Sequence, residues 1–223
     1  MTDGEKEILN TLKAALTDRL HLDVRKNPVG LSIEDNAVVM EGVVDGIAAK
    51  KRALLMAMGM EGVSGVVDRL KVRPGSAMTD AEIRDHLLRA FTEEPALSRA
   101  DISVEVTDGV VDIEGRVPSL THKRLAGVLA WWVPGSGDVI NSLIVEPPEK
   151  DTDEEIIDAL RIVLEKDRLV DAGGVSIIVR VRVRDWTVTL DGVVRSGAEK
   201  KAVEEDAWYI WGVNEVINNI IVE

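Results

Sequence analysis

Val39-Met40-Glu41-Gly42-Val43-Val44 is written twice more along the chain, as Asp112-Ile113-Glu114-Gly115-Arg116-Val117 and as Thr189-Leu190-Asp191-Gly192-Val193-Val194. Each copy sets an acid before a glycine inside a run of β-prone residues. A second glycine, Gly62, Gly135 or Gly212, follows 20 residues after the first. Beyond it come Val66-Val67-Asp68-Arg69-Leu70-Lys71-Val72, Val139-Ile140-Asn141-Ser142-Leu143-Ile144-Val145 and Val216-Ile217-Asn218-Asn219-Ile220-Ile221-Val222. Each of these reads as a strand that closes its repeat. With six of 18 glycines in one register, the chain is a threefold tandem repeat, and that periodicity decides the fold before any single element does. The six glycines are its structural positions.

Working upstream, apolar residues fall at i, i+4, i+7 and i+8 in each copy: Ile8, Leu12, Ala15, Leu16; Ile83, Leu87, Ala90, Phe91; Ile156, Leu160, Val163, Leu164. That spacing predicts an amphipathic helix. Thr79-Asp80-Ala81-Glu82 and Thr152-Asp153-Glu154-Glu155 predict capping boxes at two of the starts. Copy one carries Gly4 at the threonine position, so its helix is expected to fray more. Residues 102–106 and 110–113 predict a hairpin around Asp108-Gly109. A second helix fills the interval between the paired glycines, for example Gly197 to Ile210. The fold class is therefore α+β: three tandem αββαβ domains, each a three-stranded mixed sheet with two helices packed on one face. The crossover helix makes the second and last strands parallel. Prolines at Pro74 and at Pro147-Pro148 mark linkers, which gives domains at 1–74, 75–148 and 149–223.

The 223 residues are 45% hydrophobic and contain no cysteine, which excludes disulfides, thiolate metal sites and cysteine nucleophiles. A net charge of −13 argues against sequence-independent nucleic-acid binding. No uncharged apolar stretch, residues 53–60 among them, reaches the roughly 20 residues that a transmembrane segment needs. The charged start Met1-Thr2-Asp3-Gly4-Glu5 predicts a cytoplasmic location, or a periplasmic one if the true start was trimmed.

A helix, a hairpin ending in acid-Gly, a second helix and a Pro-Gly or Trp-Gly step into a Val/Ile/Asn strand together resemble the BON domain. Val133-Pro134-Gly135 with Val139-Ile140-Asn141, and Trp211-Gly212-Val213 with Val216-Ile217-Asn218, carry the resemblance, which covers essentially the whole chain. It implies a non-enzymatic module associated with phospholipid or envelope binding and with osmotic stress.

Candidate site residues come from comparing the second helices. Copy three has Glu204-Glu205-Asp206 where copy two has Gly127-Val128-Leu129 and copy one has Leu54-Leu55-Met56. The acids predict a water-facing side, so the second helices of copies one and two read as apolar nearly all round and in need of a cover. Packing of copies one and two on each other, a homo-oligomer, and a lipid or protein partner are the three covers considered. Lys50, Lys51, Arg52, Leu54, Leu55, Met56 and Met58 form the basic and apolar part of the candidate surface. Trp131, Trp132, Trp208, Tyr209 and Trp211 form the aromatic part, with Trp208 and Tyr209 expected to be partly exposed. Charge is uneven: residues 1–74 balance, while 75–148 carry −6 and 149–223 carry −7.

No catalytic residue, metal site or cofactor is expected. His21, His86 and His122 lack ligand partners at suitable spacing and read as surface side chains. The acids Glu41, Glu114 and Asp191 recur once per copy and read as a need of the turn rather than of catalysis. Arg180, Arg182 and Arg184 alternate onto one sheet face and are expected to pair with copy three's own acids. These residues support a phospholipid- or envelope-binding protein, or alternatively a cytoplasmic protein scaffold or ion-responsive stress protein that uses the same helices.

Overall fold

Three helix starts depend on one arrangement of residues, threonine followed three positions later by glutamate. Thr79 Oγ accepts from the Glu82 N–H, and the Glu82 carboxylate accepts from the Thr79 N–H at 2.7 Å, completing the predicted box. The same contacts hold the Glu82 carboxyl below the usual carboxylate range. Thr152 Oγ likewise accepts from the Glu155 N–H, but the Glu155 carboxylate accepts from Thr121 Oγ of copy two instead of closing its own box. Copy one corrects the expectation of fraying, because Thr2 and Glu5 make the same reciprocal pair before Gly4 can weaken the start. The helix there simply begins earlier.

The computed structural model describes residues 2–20, 29–170 and 178–223. Copy one runs α1 (Asp3–Leu20), β1 (Gly30–Glu34), β2 (Ala37–Val44), α2 (Ile47–Met58) and β3 (Gly65–Val72). Copy two runs α3 (Asp80–Glu93), β4 (Asp101–Thr107), β5 (Val110–Val117) and α4 (Leu120–Trp132), and its last strand is in two pieces, β6 (Asp138–Asn141) and β7 (Ile144–Val145). Copy three runs α5 (Asp153–Lys166), β8 (Ile178–Arg184), β9 (Thr187–Val194), α6 (Gly197–Tyr209) and β10 (Glu215–Val222). In each sheet the middle strand is antiparallel to the first and parallel to the last, as the crossover requires. The break in copy two falls where the Ser142 N–H bonds Ile113 O at 2.8 Å and Leu143 turns into the core.

All three hairpins close through two residues at positive φ, Asp35-Asn36, Asp108-Gly109 and Asp185-Trp186. That is the turn whose twist matches the flanking strands. A helix-start aspartate grips two of them: Asp80 accepts from the Asp108 and Gly109 N–H groups at 2.9 and 2.8 Å, and Asp153 from those of Asp185 and Trp186. The first helix thus docks on the hairpin tip through charge as well as through its apolar face. Gly115 has φ +133, and a Cβ there would lie 1.9 Å from the Asp101 carbonyl oxygen, so the glycine of the acid-Gly pair answers a backbone need.

The chain divides into two compact units, Met1–Arg73 and Pro74–Glu223. In the first, Leu12 and Leu16 of α1 and Ala53 and Ala57 of α2 close over Val38, Met40 and Leu70 of the sheet. In the second, Ile83, Leu87 and Phe91 cover the copy-two sheet, and Ile156, Leu160 and Val163 cover the copy-three sheet. Between them α4 packs on α5 and α6, which makes one body of two copies.

Candidate binding surfaces on the second helices

Of the basic run opening α2, Lys50 does not face outward. Its side chain is buried, and its ammonium donates to Leu70 O at 2.6 Å and pairs with Asp68 at 3.0 Å. Lys200 of copy three repeats the first contact on Ile220 O at 2.7 Å, so this lysine ties helix to strand. Lys50 therefore leaves the candidate surface. Lys51 and Arg52 are half-buried, and burial pushes the Lys51 ammonium down to about 7. Leu54 and Met56 are half-buried against the copy-one core, while Leu55 and Met58 stand 39% and 63% exposed.

The same positions in copy two are covered. Val128 is fully buried and Leu129 nearly so, because α4 lies against the helices of copy three. Copies two and three pack on each other, and copy three was not among the covers expected for this helix. The sequence of α4 does not reveal this, because its cover is a helix from the next copy.

Polar contacts stitch that seam. Arg124 is wholly buried; its Nε donates to Trp211 O at 3.1 Å and one terminal nitrogen to Asp151 at 2.5 Å. Its guanidinium and the Lys123 ammonium both lie over the Trp211 ring, 5.8 and 5.1 Å from its centroid. Burial and the Arg124 charge hold Lys123 below its usual range. The Trp131 and Tyr209 rings stack at 5.7 Å, nearly parallel. Trp132 Nε1 donates to Asp206 at 2.9 Å. Lys166 reaches across to Glu94 at 2.9 Å.

Two expectations are thereby corrected. Trp208 is 1% exposed rather than leaning into water, and Asp206 is 2% exposed although it aligns with solvent-facing acids. Burial pushes the Asp206 carboxyl up to about 8, against the donation from Trp132, and the neighbouring carboxyl of Asp167 adds to the rise. Tyr209 is raised as well, by burial and then by Glu205. Trp211 alone of the aromatic set stays exposed, at 48%.

His86 is exposed on α3; His122 is half-buried on α4 with Nδ1 2.5 Å from Ser119 Oγ, and His21 lies outside the described residues. Glu41 and Glu114 are exposed. Asp191 accepts from Asn219 and Arg182, which hold its carboxyl below the usual range. Of the three arginines on β8, Arg182 thus has the expected internal partner, while Arg184 sits 3.7 Å from Asp185.

The repeat, the sheet order and the paired glycines are those of one family, whose model matches three times, over residues 8–74, 79–147 and 152–223. The chain belongs to the BON domain family. Its BON copies align with Osmotically-inducible protein Y of Escherichia coli (strain K12), 30% identical over 149 residues, 62% of this chain and 71% of that protein. Two solved structures cover most of the chain: the C-terminal domain of CdsD, the structural protein of the type III secretion system of Chlamydia trachomatis, and the PrgH periplasmic domain. The first is 17% identical with a TM-score of 0.26 over 95% of this chain and 97% of that one; the second is 12% identical with a TM-score of 0.25 over 89% and 95%. The cytoplasmic location expected above is corrected: the osmotically-inducible relative points away from it. The charged first residues on which it rested carry no information about compartment. Among the described residues no helix is long and apolar enough to cross a membrane.

Proposed function

We propose that this BON protein is a non-catalytic binding protein of the cell envelope that serves in osmotic stress and engages phospholipid through α2 of its first copy. The observation that carries the reading is the exposure of Leu55 and Met58 on a helix that also bears Lys51 and Arg52. Apolar side chains beside basic ones suit the boundary between acyl chains and anionic head groups. Kinship with an osmotically-inducible protein supports the stress role. The tryptophans of copies two and three have no part in it, because the seam between those copies uses most of them.

Co-sedimentation with vesicles tests the reading. The intact chain is expected to pellet with anionic vesicles, less so at high salt, and Leu55→Glu with Met58→Glu is expected to abolish pelleting. Binding should strengthen as pH falls through about 7, where Lys51 gains its charge. Failure of the parent chain to pellet with anionic or zwitterionic vesicles would overturn it.

A further inference from the structure

Two outer strands of the second unit are opposites in charge. β4 lies at one edge of the copy-two sheet, whose other edge is β6 and β7, and β8 at one edge of the copy-three sheet, whose other edge is β10. On β4, Asp101, Ser103 and Glu105 point to the solvent face, while Ile102, Val104 and Val106 point toward the helix side. On β8 the same alternation places Arg180, Arg182 and Arg184 outward and Val179, Val181 and Val183 inward. Asp101 and Glu105 are exposed, and the side chain of neither makes a hydrogen bond or ion pair with another described residue.

Alternate residues of an antiparallel outer strand turn their N–H and C=O groups away from the sheet. On β4 these belong to Ile102, Val104 and Val106: Arg84 Nε reaches Val104 O at 3.3 Å, and the Ile102 N–H bends back to Ala100 O. Beside this edge runs an open groove of about 560 Å³, lined by Arg84 and Leu88 of α3 and by residues 102–107. Its lining is mixed, and within it Leu88, Ile102, Val104 and Val106 are the apolar side chains an added strand could meet.

Charge selects the strand. A second β4 would bring acid against acid and a second β8 would bring arginine against arginine, each destabilising in a cross-strand pair. β8 laid antiparallel on β4 with Val181 opposite Val104 sets Arg184 against Asp101, Arg182 against Ser103 and Arg180 against Glu105. Three valines then lie over the groove. We propose that the open edge of β4 receives β8 of a second copy of this chain, joining the copy-two sheet of one molecule to the copy-three sheet of the next. This goes beyond the membrane reading and does not depend on it.

The test is sedimentation velocity of the intact chain at low and high salt, with two charge reversals at exposed positions. One variant carries Asp101→Lys and Glu105→Lys, the other Arg180→Glu and Arg184→Glu. The parent chain is expected to associate at low salt, and each variant alone to lose about tenfold or more in association constant. An equimolar mixture of the two variants restores complementary edges and should associate again. The chain has no cysteine, so Glu105→Cys in one population and Arg180→Cys in another should oxidise to a mixed dimer. A parent chain that stays at 24.3 kDa at every concentration overturns the proposal. So does association that survives either reversal, or a mixture that fails to restore it. Loss of vesicle binding in the arginine variant with unchanged self-association would overturn it too, by assigning the arginines to lipid.

Discussion

Asp206 shows at the scale of one residue how tertiary context overrides an alignment. It lies between Glu205 and Ala207 on α6 and aligns with Met56 and Leu129, so its acid character suggests a solvated position. Its side chain instead lies in the seam between copies two and three, where one carboxyl oxygen has no hydrogen-bond partner and the surrounding groups are Trp132, Asp167, Glu205 and Tyr209. None of these supplies positive charge. The folded protein therefore binds the Asp206 proton more tightly than the unfolded chain does, at about 8 against 3.8. This contribution to stability is complete below about pH 4 and is lost as pH rises through about 8. Asp206 is thus expected to lower the urea midpoint of the second unit, read by tryptophan fluorescence, at pH 9 relative to pH 6. Asp206→Asn keeps an acceptor for Trp132 and should flatten that dependence, gaining about 2 kcal/mol over the parent at pH 9. A pH dependence equal in the parent and in Asp206→Asn would refute the buried acid. Lys50 is the matching case of opposite sign: in sequence it heads a basic patch, in space it binds the Leu70 carbonyl. No local pattern distinguishes a lysine that snorkels to water from one that reaches a strand 20 residues away.

The elements themselves were largely legible, because their causes are local. The 3.6-residue spacing of Ile83, Leu87 and Phe91 and the box at Thr79–Glu82 act within a single helix, and both are found where the sequence puts them. Thr2-Asp3-Gly4-Glu5 was the same signal two residues out of register with the other copies, which is why alignment on Gly4 hid it. The second helices were harder. α2, α4 and α6 share a backbone plan yet differ in what covers them, and the cover of α4 is a helix more than 20 residues away in the chain. The difference predicts unequal tolerance at equivalent positions. Val128→Glu places a charge in a closed seam and is expected to cost about 3 kcal/mol or more in chemical denaturation. Leu55→Glu, its counterpart on α2, should change stability by no more than about 0.5 kcal/mol. Equal costs at the two sites would mean that Leu55 is covered as well, which would remove the surface proposed for lipid.

Three copies announce themselves by periodicity, but their grouping into two compact units depends on side chains brought together across the sequence. Arg124 and Asp151 are 27 residues apart, and Trp132 and Asp206 are 74. Arg124 matters most to the second unit, because it is wholly buried and serves two acceptors, Asp151 and the Trp211 carbonyl, contributed by the linker and by copy three. Arg124→Ala leaves both without their donor and opens space beneath Trp211, a loss of about 3–5 kcal/mol where a buried pair is broken by removing one partner. The cost falls on the seam and not on either core, since Ile113 and Leu190 are untouched. All five tryptophans lie between residues 131 and 211, so their fluorescence reports on this unit alone. The parent should therefore unfold in one fluorescence transition. In Arg124→Ala the transition should divide, Trp131 and Trp132 reporting copy two while Trp186, Trp208 and Trp211 report copy three. A single transition at the parent midpoint would mean that the stacked rings and apolar contacts of α4, α5 and α6 hold the two copies together without the buried arginine.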